Sequence, residues 1–334
     1  MRTARIKGEP GSFYHCMSRI IERRPLLGEL EKEKFRRVLR DCEDFCGLRV
    51  VTYALMDNHF HILVQVPAQP ELSEREFLRR LGRLYEKPLV EDIARQLRKL
   101  RAKGTERAAA EAARIRAKYT RRMGEISEFV KTLKQRFTQW YNRRHERHGT
   151  LWEQRFKSVL VEGGFHTLAT MAAYIDLNPV RAGMVKDPKD YRYCGYAEAL
   201  GGHALAQAGL GLVLESLEQP DDWASVRGQY RKYLFASGEK TESRGGFSAE
   251  HVRQVLNEGG ELSASELLRC RVRYFTDGAV LGSRAFVEQV FHAHRGFFGA
   301  HRQSGARPMK GGDWGGLCTA RDLRLEVVTL PATG

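Results

Sequence analysis

His59 and His61 stand two residues apart inside ALMDNHFHILVQV, residues 54–66, a run that otherwise has the composition of a β-strand. Strand side chains alternate between faces, so both imidazoles project to one side and Phe60 to the other. Two neutral imidazoles so placed can hold one divalent cation, and they can equally be two hydrogen-bonded core residues; their spacing leaves both open. A metal site needs a third ligand. In HTLATMAAYIDLNPV, Tyr174 and Asn178 are four apart and share one helix face, on the flank of an apolar stripe made by Leu168, Met171, Ala172 and Ile175. Either alone reads as ordinary, a half-buried phenol and a carboxamide closing a helix before Pro179. Together they would put a phenol and a carboxamide on one face, a suggestive placement. Of the other tyrosines, Tyr141 falls on an apolar stripe and Tyr119 lies in the charged segment without a histidine-like polar constellation beside it.

The elements that must position these groups follow from periodicity. GSFYHCMSRI reads as a first strand. Phe35, Val38, Leu39, Cys42, Phe45 and Cys46 recur at three- and four-residue steps, an amphipathic helix stopped by Gly47. LRVVTYALM and HFHILVQVP flank the dipeptide Asp57–Asn58 and read as a hairpin. Residues 71–123 are charged, Ala-rich and helix-forming, which predicts two helices joined at Gly104. Ile126, Phe129, Val130, Leu133, Phe137, Trp140 and Tyr141 line a further helix. LWEQRFKSVLVEGG reads as extended, and the next helix is predicted with Thr167 as its cap and Pro179 as its end.

At 334 residues the chain is long enough for a main domain and an appendage. LGGHALAQAGLGL, rich in small residues, reads as the connection between them, with a boundary between about residues 197 and 220. Beyond it, SAEHVRQVLN, SASELLRCRVRYF and SRAFVEQVFHAHR suggest three short helices, the last two forming a helix-turn-helix around TDGAVLG, and GARPMKGGDWGGLCTARDL suggests a mobile loop or tail. The formal charge of +15 points to a polyanionic partner, nucleic acid first. No apolar run is long enough to span a membrane, no signal-peptide pattern opens the chain, and the six cysteines are scattered without a CxxC pair. These features predict a protein of the cytoplasm, associated with the nucleoid, with reduced cysteines.

YALMDNHFHILVQVP, followed downstream by GTLWEQRFKSVLVE, MAAYIDLNPVRAGMV and DPKDYRYCGY, resembles the REP-associated tyrosine transposases, relatives of the single-tyrosine transposases of small insertion sequences. The resemblance covers about residues 10–197. It implies an α+β fold of the HUH nuclease type, a ferredoxin-like antiparallel sheet with helices on one face. It also implies that His59 and His61 are the metal-binding histidines, Tyr174 the nucleophile and Asn178 a polar third ligand. Related families place glutamine at that last step. The segment of about residues 72–123 is then a helical arm inserted in a nuclease domain of residues 1–200, and residues 201–334 a mainly helical C-terminal region.

The activity implied is cleavage and rejoining of single-stranded or hairpin DNA through a 5′-phosphotyrosine, with Mg²⁺ or Mn²⁺ as Lewis acid, by a monomer or homodimer. Arg143, Arg144, Arg147, Arg155 and Lys157 are the expected phosphate contacts, with His15 and Arg19 of the first strand lining the DNA groove. Trp140, Trp152 and Phe156 interleave with these charges and suit base stacking or core packing. Two other readings fit the same residues: a non-catalytic protein that binds structured repeats, and a water-using metal-dependent phosphodiesterase.

Overall fold

The computed structural model describes residues 2–3, 5–69, 71–215, 222–235, 274–309, 314–323 and 325–326. The chain forms two compact units, one made of Met1–Arg24, Val50–Val64 and Trp152–Gly334, the other of Pro25–Arg49 and Gln65–Leu151.

The first unit is built on strands β1 (Phe13–Arg19), β2 (Arg49–Leu55), β3 (His59–Gln65), β4 (Lys157–Val161), β5 (Val280–Gly282), β6 (Arg307–Pro308) and β7 (Cys318–Ala320), in the sheet order β2-β3-β1-β4-β5-β7-β6. The first four keep the ferredoxin-like order, with the hairpin β2–β3 closed by Met56 N–H donating to the His59 carbonyl at 2.8 Å. Strand β4 pairs antiparallel with β1, His15 opposite Val159. The fold is α+β, as expected, but the sheet is mixed. Strand β5 lies parallel to β4, with Leu160 opposite Val280, and antiparallel to β7.

That pairing revises the reading of the C-terminal third. TDGAVLG, expected as the turn of a helix-turn-helix, carries β5 instead, because Val280 and Leu281 satisfy their backbone groups against β4 and bury both side chains completely. The SAEHVRQVLN segment and most of SASELLRCRVRYF lie outside the described residues. The Gly-rich stretch, expected to be mobile, supplies the paired strands β6 and β7 and the buried Trp314.

Helices α6 (Phe165–Asp176), α7 (Asn178–Arg181), α8 (Gly195–Leu200), α9 (Ala204–Leu214) and α10 (Trp223–Phe235) belong to this unit. The cap of α6 lies three residues earlier than expected. Gly164 is its N-cap, and the Thr167 hydroxyl donates to Glu162 Oε2 at 3.3 Å instead of capping. Nor does Pro179 end helical structure: it occupies the first turn of α7, where its missing N–H costs nothing. LGGHALAQAGLGL, read as a connection, forms α9 with Leu210, Leu212 and Val213 buried. Glycine is required at position 209, where a Cβ would collide with the Val50 carbonyl.

In the second unit, α1 (Glu29–Cys46) packs on α2 (Glu74–Leu84) and α5 (Ile126–Arg144), while α3 (Lys87–Lys103) packs on α4 (Glu106–Thr120). Where two helices were expected before residue 123 there are three, since extended backbone at Tyr85 and Glu86 breaks the run and Pro88 restarts it. Gly104 joins α3 to α4 at φ 59°, as its position suggested. Cys42 and Cys46 are free thiols in the apolar face of α1.

Candidate functional site

The site lies on one face of the sheet in the first unit. Alternation along β3 sends His59 and His61 to the same side and Phe60 to the other, where it meets the buried Trp152 edge to face at 5.5 Å. Trp152 is therefore a core residue and not a stacking platform. The rings of His59 and His61 are 5.1 Å apart and nearly perpendicular. The Tyr174 ring of α6 packs over this face, 5.9 Å from His61 and 6.1 Å from His15, edge to face with both. Helix α6 is closely packed, with Ala169, Met171, Ala172 and Ala173 all fully buried.

Enclosure is the site's main electrostatic feature. His61 is 2% exposed, Tyr174 3% and His15 1%. Burial lowers the pKa of His61 well below its ordinary value, the charges of His15 and His59 adding to the effect, and burial holds His15 at about 4 against a backbone hydrogen bond that raises it. Both rings are neutral at physiological pH, the form in which an imidazole ligates.

Hydrogen bonds fix their tautomers. The His15 Nε2 lies 2.8 Å from His61 Nδ1, and His15 Nδ1 lies 2.8 Å from the Phe275 carbonyl. His59 Nδ1 is 2.7 Å from the amide oxygen of Asn58. With Nδ1 of each strand histidine donating to a neighbour, Nε2 is the lone-pair nitrogen of both rings. The donor chemistry thus fits a divalent cation held by His59 and His61. Among the described residues no three His, Cys, Asp or Glu side chains gather as a metal-binding group. Asn178, half-buried one turn beyond Tyr174, turns its amide nitrogen onto the carbonyls of Tyr174 and Ile175 at 3.2 and 3.1 Å, which leaves its amide oxygen, and not its nitrogen, for any further partner.

Three contacts around Tyr174 had no sequence signal. Phe275, in the short helix α11 (Tyr274–Asp277), stacks on the phenol at 4.5 Å and is itself fully buried beneath Trp314. The Arg181 guanidinium lies 4.2 Å from the Tyr174 ring centroid and donates to its carbonyl at 2.6 Å. Phe275 and Trp314 are more than a hundred residues from the tyrosine, beyond the reach of any local pattern.

Of the expected DNA contacts, His15 is corrected: with 1% exposure and both ring nitrogens engaged inside the unit, it has no face toward a groove. Arg19 is half-buried on the same strand, and Arg155 and Lys157 are exposed at the start of β4. In the second unit, Arg143 and Arg144 are exposed at the end of α5 and Arg147 is half-buried just after it. Phe156 is half-buried beneath the Arg5 guanidinium, which lies 3.9 Å from its ring centroid.

Residues 11–84 match the family model of the IS200-like transposases. The matched stretch holds His15, Arg19, His59 and His61; Tyr174 lies downstream of it and meets His15 and His61 through the fold, with Asn178 one helical turn further on. A solved structure of a REP-associated tyrosine transposase bound to a REP hairpin is similar to the chain at 14% identity and a TM-score of 0.38, covering 62% of this chain and 90% of that one. No curated protein matches. Among the described residues no helix is long and apolar enough to cross a membrane.

Proposed function

We propose that the chain is a transposase-like strand transesterase that cleaves and rejoins single-stranded or hairpin DNA, with Tyr174 as nucleophile and His59, His61 and Asn178 as metal ligands. The observation that carries this reading is the packing of the Tyr174 ring 5.9 Å from His61, on the face that both strand histidines share. The match of the histidine-bearing stretch to IS200-like transposases supports it.

In the forward step Tyr174 Oη bonds to the scissile phosphorus and loses its proton, while the bond from phosphorus to the 3′ oxygen breaks and that oxygen leaves as a hydroxyl. The product is a 5′-phosphotyrosine, and a second 3′-hydroxyl reverses the step to join strands. Mg²⁺ or Mn²⁺ held by the ligand set would supply Lewis-acid polarisation of the phosphate. Arg181 braces the tyrosine from one side and Phe275 from the other. Because Phe275 covers the phenol, a strand reaches Tyr174 only after that ring moves.

Exposed Arg155 and Lys157, with Arg19, supply phosphate contacts in the first unit, and Arg143, Arg144 and Arg147 supply them in the second. The histidines and the tyrosine meet within one chain, which favours site assembly in cis whether the protein acts as monomer or homodimer, on DNA in the cytoplasm.

The test mixes purified protein with labelled single-stranded hairpin DNA from the flanks of its own gene, with Mn²⁺ or Mg²⁺, and looks for an adduct that survives denaturation. Wild type forms the adduct, whereas Tyr174→Phe and His59→Ala do not. Cleavage surviving in Tyr174→Phe but lost in His59→Ala would indicate a water-using phosphodiesterase. Tight binding with no cleavage by wild type would indicate a DNA-binding protein.

A further inference from the structure

We infer that His15, backed by the main-chain carbonyl of Phe275, is a positioning relay that fixes the tautomer of His61 and so presents its Nε2 lone pair to a metal ion. The inference deepens the proposed reading and rests on it for the ion, though not for the tautomer. Each step follows from hydrogen-bonding capacity. A carbonyl oxygen accepts and never donates, so His15 Nδ1, 2.8 Å from Phe275 O, carries the hydrogen. A neutral ring protonated there has its lone pair on Nε2. That atom lies 2.8 Å from His61 Nδ1, which must then be the donor, and the lone pair of His61 falls on Nε2.

The geometry is that of a built contact. The two rings are inclined by 16° with their centroids 5.0 Å apart, compatible with a hydrogen bond in the plane of both imidazoles, and exposures of 1% and 2% keep bulk water from the pair. His59 reaches the same tautomer by a different route, through the side chain of Asn58. His61 has no such local acceptor at its Nδ1 and takes it from the neighbouring strand. The carbonyl that ends the relay lies outside the family-matched stretch, in α11. The C-terminal region thereby completes the layer behind the ligands, and a relay of this kind is worth about 10–100-fold in metal affinity at other sites.

The experiment uses full-length protein labelled with ¹⁵N-histidine and purified without metal. Long-range ¹H–¹⁵N spectra, assigned with the variants, should show His15 and His61 both protonated at Nδ1. Two variants separate hydrogen bonding from packing. His15→Phe keeps a ring but removes both bonds; His15→Gln keeps an amide to donate to the carbonyl and an oxygen to accept from His61. Mn²⁺ binding followed by electron paramagnetic resonance should weaken about 10–100-fold in His15→Phe and stay within about threefold of wild type in His15→Gln. Finding His61 protonated at Nε2 in the wild type would overturn the inference. So would a His15→Phe variant that keeps both the Nδ1–H signature and wild-type Mn²⁺ affinity. Wild type that shows the Nδ1–H tautomer and binds no Mn²⁺ would uphold the relay and remove the metal from the proposed function.

Discussion

In the proposed reaction the Tyr174 phenol must reach a phosphate, yet its ring is enclosed between Arg181 and Phe275. The enclosing ring is the one to remove. Phe275→Ala deletes the side chain stacked at 4.5 Å and leaves the carbonyl that bonds His15. Single-turnover adduct formation should accelerate severalfold in this variant, and Tyr174 should become accessible to nitration. Slower adduct formation would show instead that Phe275 holds the phenol in its attacking position. The residue scale is also where the sequence was most informative. That His59 and His61 share one face, and Tyr174 and Asn178 another, is legible from a strand's period of two and a helix's near four, while their roles are what the family resemblance implies. Phe275 and Arg181 carry no such mark, and the hydrogen-bond partners of His15 lie on another strand and on a segment 260 residues away, beyond any local pattern.

One buried carboxyl ties together the elements that hold α6 in place. Asp176, two residues past the tyrosine and fully buried, accepts from Thr52 Oγ1 of β2 at 2.7 Å, from Tyr230 Oη of α10 at 2.6 Å and from the Tyr196 N–H of α8 at 3.3 Å. Burial raises its pKa from 3.8 to about 7, outweighing the three hydrogen bonds that favour the anion. A carboxyl with a raised folded-state pKa stabilises the fold most when protonated. Its contribution is full below about pH 4 and is lost as pH climbs to about 7. The shift corresponds to roughly 4 kcal/mol as an upper figure. Wild type measured against Asp176→Asn by denaturant unfolding should therefore lose stability relative to the variant as pH rises from 4 to 8. A constant difference across that range would mean that Asp176 is ionised throughout. Most elements here were legible. Helices α1 and α5 and the β2–β3 hairpin show apolar repeats long enough to read, and the strand β4 stands out by its branched residues. The three-residue strands β5 and β7 are too short to display a period, and β5 pairs with a strand about 120 residues earlier. Helix α9 was mistaken for a linker because its small residues serve close packing.

At the scale of the whole molecule, the +15 charge predicts how DNA binding responds to salt, and the mixed sheet predicts which pieces can stand alone. If Arg143, Arg144, Arg147, Arg155 and Lys157 each neutralise a phosphate of a single strand, about 0.7 counterions released per contact gives a log–log salt slope of about −3.5. Replacing Arg155 and Lys157 together by alanine should make that slope shallower by about 1.4, measured by hairpin titration at several salt concentrations. An unchanged slope would place those two charges away from the DNA path. The C-terminal region invites a second cut, since the sequence reads as a nuclease domain followed by a separable helical region. Strand β4 argues otherwise. Its Leu160 and Glu162 N–H groups donate to the Ala279 and Leu281 carbonyls at 2.9 and 3.0 Å, and the segment beyond residue 273 buries Phe275, Val280, Leu281, Phe291 and Trp314 almost completely. At about 2 kcal/mol per buried large apolar side chain, those five contribute roughly 10 kcal/mol, as much as the whole net stability of a typical domain. A chain ending at residue 215 should consequently fail to fold cooperatively, showing a broad thermal transition and dye binding to exposed apolar surface. If it instead melts sharply and keeps its Mn²⁺ affinity, then neither β5 nor the carbonyl of Phe275 is needed to hold the histidines.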